Sequence, residues 1–455
     1  MRAWLLAVVV LTIASSASGQ SSPTQPPLVL VHPEGATGPP AVVTLQDAVQ
    51  RARQNDAQFQ AVVTDAQVAR EDRVQARAAL LPALSNTTQY LGNSPNGVNP
   101  NGRFVSLDGV KMYREWGVAH QELSANLLLR TPLLRARALE AVAQANLEIA
   151  ERGLAVTVTR TYYALVVAQR KYASAQQAAQ QAARFLEITQ QQERLGQVAR
   201  SDTVKADIQY QQLQQAFRES LVVMDAARLT LAVLISPQFD ENFSVVDDLS
   251  TMPPLPPFAD ARSMAYRANP DLRAAEETLR GASANVQIAR NAFFPSLFID
   301  GVVGIEANEF ALHSAVAAQP EFGILPNLGY FLTLNLSVPV WDWGALRSKL
   351  RQGHARERQA TVALSQTQRQ LLSSLYSMYN EALAARTAVD NLQHVAELAA
   401  ESLRLTTLRY QAGESTALEV VDAQNTLVQA RNAADDSAMR LRVAMAELQT
   451  LTGPF

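Results

Sequence analysis

Two kinds of hydrophobic pattern alternate along the chain. Residues 330–338, YFLTLNLSV, are apolar at almost every second position. Polar Thr333, Asn335 and Ser337 lie between the apolar residues, which predicts a strand with one apolar and one polar face. From Gly344 the sequence changes to long runs rich in Ala, Leu, Gln and Arg, a composition typical of long helices. A mostly helical chain therefore carries a strand whose apolar face is continuous.

The first half of the chain predicts a helix followed by two strands. The helix begins after Thr44, a good N-cap residue, and runs to about Leu81, where Pro82 ends it. Strand-like alternation follows at residues 83–91 and 118–130. The segment between these two strands is dense in Gly, Asn and Pro, which predicts a loop.

A helical run from Pro132 to about Arg194 is longer than a globular core requires. At 1.5 Å per residue, about sixty residues would span roughly 90 Å. A turn at Gly196 leads into a shorter helix that ends near Ile235. Residues 237–260 are rich in acidic residues and proline, which predicts a linker.

The same order of patterns repeats in the second half. QARAALLPALS matches IARNAFFPSLF with Pro82 aligned on Pro295, and LLLRTPLLRARAL matches LNLSVPVWDWGAL with Pro132 aligned on Pro339. The turn RLGQVARSDTVKAD matches YQAGESTALEVVDAQ. Three anchors in the same order predict a tandem duplication with a period of roughly two hundred residues.

The N-terminus predicts export. MRAWLLAVVVLTIASSASG has a charged start, an apolar run and small residues at its end, which is typical of a cleaved signal peptide. The predicted segments are the signal peptide at 1–19, a Pro-rich extended segment at 20–43, the first repeat at 44–236, the linker at 237–260 and the second repeat at 261–455.

Composition and motifs exclude several classes of function. The net charge of -3 argues against a nucleic-acid partner. The chain has no Cys, so disulfides, thiolate metal ligands and an N-terminal lipid cysteine are excluded. The five His are scattered without the spacing of a metal site. Because phosphate-binding glycine loops, nucleophile elbows and HExxH motifs are also missing, we predict no metal, no cofactor and no enzymatic activity.

Four predicted strands per chain are too few to close a membrane barrel, since the smallest such barrels use about eight. An open sheet in lipid would leave edge amides and carbonyls unpaired, at several kcal/mol each. Several copies must therefore share one barrel. The predicted fold class is mainly α, with long coiled-coil-like helices forming an α-barrel and four strands per chain contributing to a shared β-barrel.

These features resemble the TolC-type outer-membrane efflux proteins of Gram-negative bacteria, also called outer membrane factors. The resemblance is carried by ARAALLPALS and ARNAFFPSLF, by SVPVWDWG, and by RYQAGESTALEVVDAQNTLVQA. It implies a homotrimer whose twelve-stranded transmembrane β-barrel lies in outer-membrane lipid and continues as a helical tunnel across the periplasm.

The resemblance also implies a function. The chain would be the outer-membrane channel of a tripartite efflux or type I secretion system, a passive duct for small molecules. Its partners would be a periplasmic adaptor (membrane fusion) protein and an inner-membrane pump of the RND, ABC or MFS type. The mixed polar lining predicted for the bore suits drugs, metal ions or a secreted polypeptide, and the sequence leaves these alternatives open.

The resemblance places a gate just after the second turn. Family members close the tunnel with acidic rings, and this pattern carries onto Glu419 and Asp422, whose i, i+3 spacing puts both carboxylates on one helix face. In a trimer, such like charges would attract cations and raise one another's pKa. Glu419 also completes a capping box with Thr416, so it either lines the constriction or caps the helix.

Two further residues are candidates for the gate. Tyr410 matches a family tyrosine whose hydrogen bond across the turn helps to hold the closed state, and helix packing is the alternative role. Asp202 corresponds to Glu419 in the first half. It is either the partner of Tyr410 or an acid at N1 of its helix, where its charge interacts favourably with the helix dipole. Ser415 stands where some relatives carry a gating arginine.

Two surfaces complete the predicted sites. The residues expected to contact the adaptor lie at the two turns: Arg194, Gly196, Gln197, Arg409, Gln411 and Gly413. The residues expected to face lipid are Tyr330, Leu332, Leu334, Leu336 and Val338. Trp341 and Trp343 fit an interfacial aromatic belt at the end of this strand.

A soluble periplasmic coiled-coil scaffold is the alternative function, because the long helices alone would permit it. The scaffold gives no reason for four alternating strands framed by Gly-rich and Asn-rich loops. The strands therefore favour the channel.

Overall fold

The structure is a computed structural model, and it describes residues 40–92, 111–237, 242–307, 310–312 and 327–454. The predicted signal peptide and most of the Pro-rich segment lie outside these residues. The described chain is mainly helical with one four-stranded sheet, which confirms the predicted fold class.

Long helices and short strands follow one another in both halves. The first half contains β1 (Ala41–Val43), α1 (Leu45–Asn55), α2 (Ala57–Ala78), β2 (Ala83–Gly92), β3 (Lys111–Leu123), α3 (Ala125–Leu128), α4 (Thr131–Arg194) and α5 (Arg200–Ile235). The second half contains β4 (Phe243–Val245), α6 (Phe258–Ala268), α7 (Pro270–Asn291), β5 (Ser296–Ala307), β6 (Leu328–Ser337), α8 (Ala345–Gln411) and α9 (Ala417–Thr452).

The two longest helices set the length of the molecule. Helix α4 has 64 residues and α8 has 67, which at 1.5 Å per residue gives each a length of about 100 Å. Near the sheet α4 packs between α2 and α7, and beyond the middle it packs between α5 and α9. Helix α8 lies beside α7 and α9. Within the described ranges, no helix combines the length and the apolar character needed to cross a membrane.

An arginine of α4 joins the stacked ends of α6, α7 and α9. The Arg152 guanidinium donates to the carbonyl oxygen of Thr450 at 2.7 Å and to that of Ala268 at 3.0 Å. It also contacts Glu148 at 2.5 Å, and Glu148 in turn pairs with Arg273 at the start of α7. Carbonyls at helix C-termini lack partners within their own helix. A cation near a helix C-terminus also interacts favourably with the helix dipole. Shorter helices are thereby held end to end alongside α4.

The sheet has the order β2-β3-β5-β6 and is antiparallel throughout. Two hairpins, β2-β3 and β5-β6, lie side by side, and β3 pairs with β5 over eleven residue pairs from Tyr113↔Ala307 to Leu123↔Leu297. Strands β2 and β6 are the two edges, and neither has a partner on its outer side among the described residues.

The two faces of the sheet differ in chemistry. Side chains directly opposite each other in paired strands lie on the same face, so the register assigns every strand residue to one side. The apolar face includes Leu84, Tyr90, Leu297, Ile299, Val303, Ile305, Leu328, Tyr330, Leu332, Leu334 and Leu336. The polar face includes Ser85, Thr87, Gln89, Arg114, His120, Glu122, Asp300, Glu306, Thr333, Asn335 and Ser337.

The strand predicted at 118–130 is wrong beyond Leu123. The strand begins earlier, at Lys111, and ends where the Ser124 hydroxyl accepts a hydrogen bond from the Leu127 N–H and caps α3. Arg130 then has a φ of 54°, in the left-handed region, where the chain turns into α4. The hydrogen bond between the Ser124 side chain and the first turn of α3 therefore ends the strand, although the alternating pattern continues.

Smaller corrections apply to the helices and their junctions. The helix predicted at 44–81 is two helices, because Asp56 has a ψ of 117° and its side chain caps α2 through the Phe59 N–H at 2.7 Å. Val338 lies just after β6 rather than in it. Pro132 is in the first turn of α4 whereas Pro339 lies in the connection before α8, so the two prolines are not equivalent.

Part of the predicted extended segment and of the linker forms a small parallel sheet. β1 pairs with β4, from Ala41↔Phe243 to Val43↔Val245. The hydroxyl of Tyr162 in α4 accepts from the Val246 N–H at 2.9 Å and donates to the Val43 carbonyl at 3.1 Å. Tyr162 is buried, so this hydroxyl attaches both strands to the long helix.

Ion pairs attach the same segment to α4 and α9. Arg170 donates to both oxygens of Asp247, at 2.6 and 2.7 Å, and to Asp435 at 3.1 Å. Burial raises the pKa of Asp435, and Arg170 only partly opposes that effect. Although burial acts on Asp247 too, its hydrogen bonds from Arg170 and the Leu249 N–H hold its pKa below the usual value.

We predict that Tyr162→Phe lowers the free energy of unfolding by about 1–3 kcal/mol, because the buried Val43 carbonyl and the part-buried Val246 N–H lose their partner. Tyr172→Phe is the matched control, since the Tyr172 ring packs on Phe217 while its hydroxyl makes no protein hydrogen bond in the described part of the chain. Thermal unfolding in detergent would measure both variants. An equal effect of the two substitutions would contradict the attachment.

Candidate functional site

The turn after α8 is closed by a glycine. Gly413 has a φ of 77°, which a residue without a side chain adopts at little cost. The Glu414 N–H donates to the Arg409 carbonyl at 2.8 Å, and the Gly413 N–H donates to that of Tyr410 at 3.0 Å. These two bonds form a Schellman motif. Gly196, with a φ of 72°, ends α4 in the same way.

Both turns lie at the end of the molecule away from the sheet. The residues predicted to contact the adaptor are all exposed: Arg194, Gly196, Gln197, Arg409, Gln411 and Gly413. The Arg409 guanidinium also donates to the Glu414 carbonyl at 3.1 Å, which ties the turn to the last residues of α8. The tip is therefore an exposed surface whose second turn is held by hydrogen bonds.

Glu419 caps the start of α9. Its carboxylate accepts from the Thr416 N–H at 3.2 Å and from the Thr416 hydroxyl at 3.1 Å, and its own N–H donates back to that hydroxyl at 3.4 Å. Because Thr416 stabilises the charged carboxylate, the pKa of Glu419 is below its usual value. The capping box is present, and a place in the constriction stays a prediction.

Asp422 lies one turn further along the same helix face and is exposed. The opposite side of α9, with Ala417, Val420 and Leu427, is buried against the neighbouring helices. No ion pair joins the Asp422 carboxylate to any described residue. Asp422 is thus available to a group outside this chain.

Asp202 is the third residue of α5, not the first as predicted, because the helix begins at Arg200 after Ala199. It therefore occupies the same helix position as Glu419, but without a capping side chain before it. Its carboxylate is 3.7 Å from the Lys205 ammonium.

Tyr410 is buried at 3% exposure, and its ring packs on Phe185 of α4 with centroids 5.1 Å apart. Burial raises the pKa of Tyr410, Thr189 opposes the shift and Asp202 adds to it. The phenol oxygen is buried and has no hydrogen-bond partner among the described residues. Within one chain Tyr410 therefore packs between helices and makes no hydrogen bond across the turn.

A row of ion pairs continues the Asp422 face of α9. Asp436, Arg440 and Glu447 follow Asp422 at spacings near whole helical turns. Their pairs are Asp436 with Lys171 at 2.7 Å, Arg440 with Glu381 at 2.6 Å and Glu447 with Arg160 at 2.8 Å. Each exposed pair adds little stability. However, these pairs balance the charges of Asp436, Arg440 and Glu447, whereas Glu419 and Asp422 form no ion pair among the described residues.

The sequence did not predict this row of ion pairs, because the partners are far apart along the chain. Arg440 and Glu381 are separated by 59 residues, and Arg160 and Glu447 by 287. The mixed charges along a long helix do not indicate which residues form ion pairs. The sequence also did not predict the ion pairs across the polar face of the sheet, where Arg114 meets Glu306 at 2.8 Å.

The chain is similar in sequence to known outer-membrane proteins. Residues 261–454 match the family model described as "Outer membrane efflux protein". Over 190 residues the chain is 31% identical to the pyoverdine export outer membrane protein OpmQ of Pseudomonas aeruginosa, covering 41% of this chain and 36% of OpmQ. It is 23% identical over 422 residues to the alkaline protease secretion protein AprF of the same species, covering 90% of this chain and 84% of AprF.

Solved structures share the whole architecture. The open state of the Neisseria gonorrhoeae MtrE outer membrane channel superimposes with a TM-score of 0.74 at 22% identity, covering 90% of this chain and 88% of that one. The Campylobacter jejuni CmeC outer membrane channel gives a TM-score of 0.74 at 17% identity, with 90% and 85% covered.

Long stacked helices, a four-stranded amphipathic sheet and a charged tip thus define the fold of an outer-membrane channel protomer. The chain is similar to the outer membrane efflux protein family, whose model matches residues 261–454. The match to OpmQ spans about a third of that protein's length.

We predict that Tyr410→Phe leaves the free energy of unfolding within about 0.5 kcal/mol of wild type, because the hydroxyl it removes has no partner. Tyr410→Ala should cost about 3–5 kcal/mol, since it opens a cavity against Phe185. Denaturant unfolding and single-channel conductance would test both variants. A stable Tyr410→Phe protein with raised conductance would instead support a hydrogen bond that holds the gate closed between chains.

Proposed function

We propose that the protein is the outer-membrane channel of a tripartite efflux or type I secretion system. It acts as a passive trimeric duct for small molecules, gated at its periplasmic tip. The observation that carries this proposal is the sheet, which has one apolar face, one polar face and two edge strands without an outer partner in the described part of the chain. In a closed barrel, that arrangement puts apolar side chains toward lipid and polar ones toward water.

The lipid-facing assignment is supported by exposure. In the single chain Tyr330 is 88% exposed, and Leu332, Leu334 and Leu336 are each at least 60% exposed. Large apolar surfaces of this kind need a cover. Trp341 and Trp343 follow, with ring centroids 5.7 Å apart, and they would mark the periplasmic membrane interface.

The gate would be formed by three copies of the tip. Glu419 and Asp422 would each supply a ring of three carboxylates, with Asp202 and Tyr410 beside them. The lack of an ion pair to Asp422 among the described residues supports this role, because its charge is then available to attract cations and repel anions at a narrow opening.

The partners would meet the same end of the molecule. A periplasmic adaptor would contact the exposed turns at Gly196 and Gly413, and an inner-membrane pump would supply both the energy and the choice of cargo. Relatives are described as proteins of pyoverdine export, protease secretion and cation efflux. For this chain we propose small molecules, and no enzymatic step is part of the proposal.

The protein would lie in the outer membrane and extend into the periplasm, delivered by its predicted signal peptide. A soluble coiled-coil scaffold remains the alternative. It would leave the apolar face of the sheet without a cover, which disfavours it.

Conductance in a planar bilayer tests the duct and its gate together. We predict that wild-type protein gives small, cation-selective channels that multivalent cations block from the tip side. The Asp422→Asn and Glu419→Gln double variant should lose both selectivity and block, because it removes the carboxylates while Gln still permits the capping box.

Glu397→Gln is the matched control. Glu397 is an exposed carboxylate of α8, 80% exposed at its side chain, and its removal should leave selectivity unchanged. Failure to insert would contradict the channel itself. Insertion with the same selectivity in all three proteins would place the gate elsewhere.

A further inference from the structure

One carboxylate lies on the apolar face of the sheet. Glu115 in β3 is directly opposite Thr88 of β2 and Ile305 of β5. Ile305 in turn is opposite Leu328. Because directly opposite residues share a face, Glu115 is on the side of Leu328 and Tyr330 and not on the side of the bore.

Glu115 has only neutral partners in the described structure. Its carboxylate accepts from the Asn86 amide at 2.7 Å and from the Thr88 hydroxyl in a short contact. Among described strand residues the apolar face has no Arg or His. The negative charge of Glu115 is therefore uncompensated within this part of the chain.

Two of the three described carboxylates on the polar face have a cationic or imidazole partner. Glu306 pairs with Arg114 at 2.8 Å, and Asp300 contacts His120 at 2.6 Å, whereas Glu122 has no ion pair among the described residues. These residues would lie in the aqueous bore, where a carboxylate has least need of a partner. The carboxylate that would face lipid has greater need of a cation, because an ionised group is costly there.

The position along the strand sets the depth of Glu115. Tyr90 and Tyr113 are directly opposite each other two residues further from the helices, with ring centroids 5.1 Å apart, and Phe310 packs on Tyr113 at 6.3 Å. Aromatic side chains gather where a barrel meets the membrane–water interface. Two residues correspond to about 7 Å along a strand, so Glu115 is close to the level of the outer lipid headgroups.

We propose that Glu115, Asn86 and Thr88 bind a divalent cation, Ca²⁺ or Mg²⁺, jointly with the phosphate of an outer-leaflet lipid. Carboxylate and amide oxygens are among the ligands that these cations prefer. In the structure the Asn86 amide nitrogen and the Thr88 hydroxyl donate to Glu115, so both side chains would turn an oxygen toward the cation when it binds. The described residues contain no group of three or more His, Cys, Asp or Glu able to hold a metal. The lipid phosphate therefore supplies the remaining negative charge and oxygen ligands. This site rests on the proposed function, since it requires the sheet to face lipid.

The test uses the full-length protein in phosphatidylcholine bilayers with and without lipid A, whose phosphates are the probe. With lipid A present, Ca²⁺ should raise the thermal unfolding midpoint of the wild-type protein by roughly 2 °C or more. Without lipid A the midpoint should stay constant. Glu115→Gln should lose the rise, because a neutral amide no longer holds the cation.

Two variants make the result specific. Glu122→Gln removes a carboxylate from the same strand on the polar face and should keep the full rise. Glu115→Lys should bind the phosphate directly, so its midpoint should rise with lipid A alone and no longer respond to Ca²⁺.

An equal Ca²⁺ response in wild type, Glu115→Gln and Glu122→Gln would overturn the site, and so would no response in wild-type channels that insert and conduct. Failure of wild type to insert would instead contradict the proposed function. Conductance measured on the same preparation distinguishes the two outcomes.

Discussion

Backbone N–H and C=O groups at the edge of a sheet cannot stay unpaired in lipid, because each such group would cost several kcal/mol. This constraint governs the rest of the structure. Among the described residues, strands β2 and β6 have no partner on their outer sides, while one face of the same sheet is apolar and carries exposed side chains such as Tyr330 and Leu336. Both problems are solved together if the edges of neighbouring copies pair and close a barrel. The long helices beneath the strands then form the wall of a tunnel by the same symmetry.

The helices are organised by the need to stay beside one another over about 100 Å. Helices α4 and α8 run the full length, and shorter helices are stacked along them. Buried polar contacts occur where the stacks meet: Arg152 binds the end carbonyls of α6 and α9, and Tyr162 attaches β1 and β4. On the Asp422 face, ion pairs balance the charges down to Asp436. The unbalanced carboxylates of α9 then lie near its first turn, which is where a narrow opening would use them.

Much of this architecture could be predicted from local sequence. The alternation at 330–338 predicted β6 to within two residues at its start. Gly196 and Gly413 predicted the two glycine turns. Thr416 with Glu419 predicted the capping box. Local chemistry also caused the errors. Ser124 ended β3 by capping α3, and Asp56 divided one helix into two. Long-range contacts were out of reach, because β1 with β4, Arg170 with Asp247 and Asn86 with Glu115 are pairs that only the folded topology brings together.

Disulfide cross-linking between the sheet edges tests the shared barrel most directly, because the chain has no Cys of its own. One cysteine would replace Thr87 on β2, and a second would replace Phe331, Thr333 or Asn335 on β6, in a panel of three variants. Val118→Cys with Val302→Cys, which are opposite each other within one chain, would show that oxidation works. If neighbouring copies share a barrel, oxidation in outer membranes yields covalent dimers and trimers in at least one panel member. Chains that all stay monomeric while the internal control closes would contradict the shared barrel.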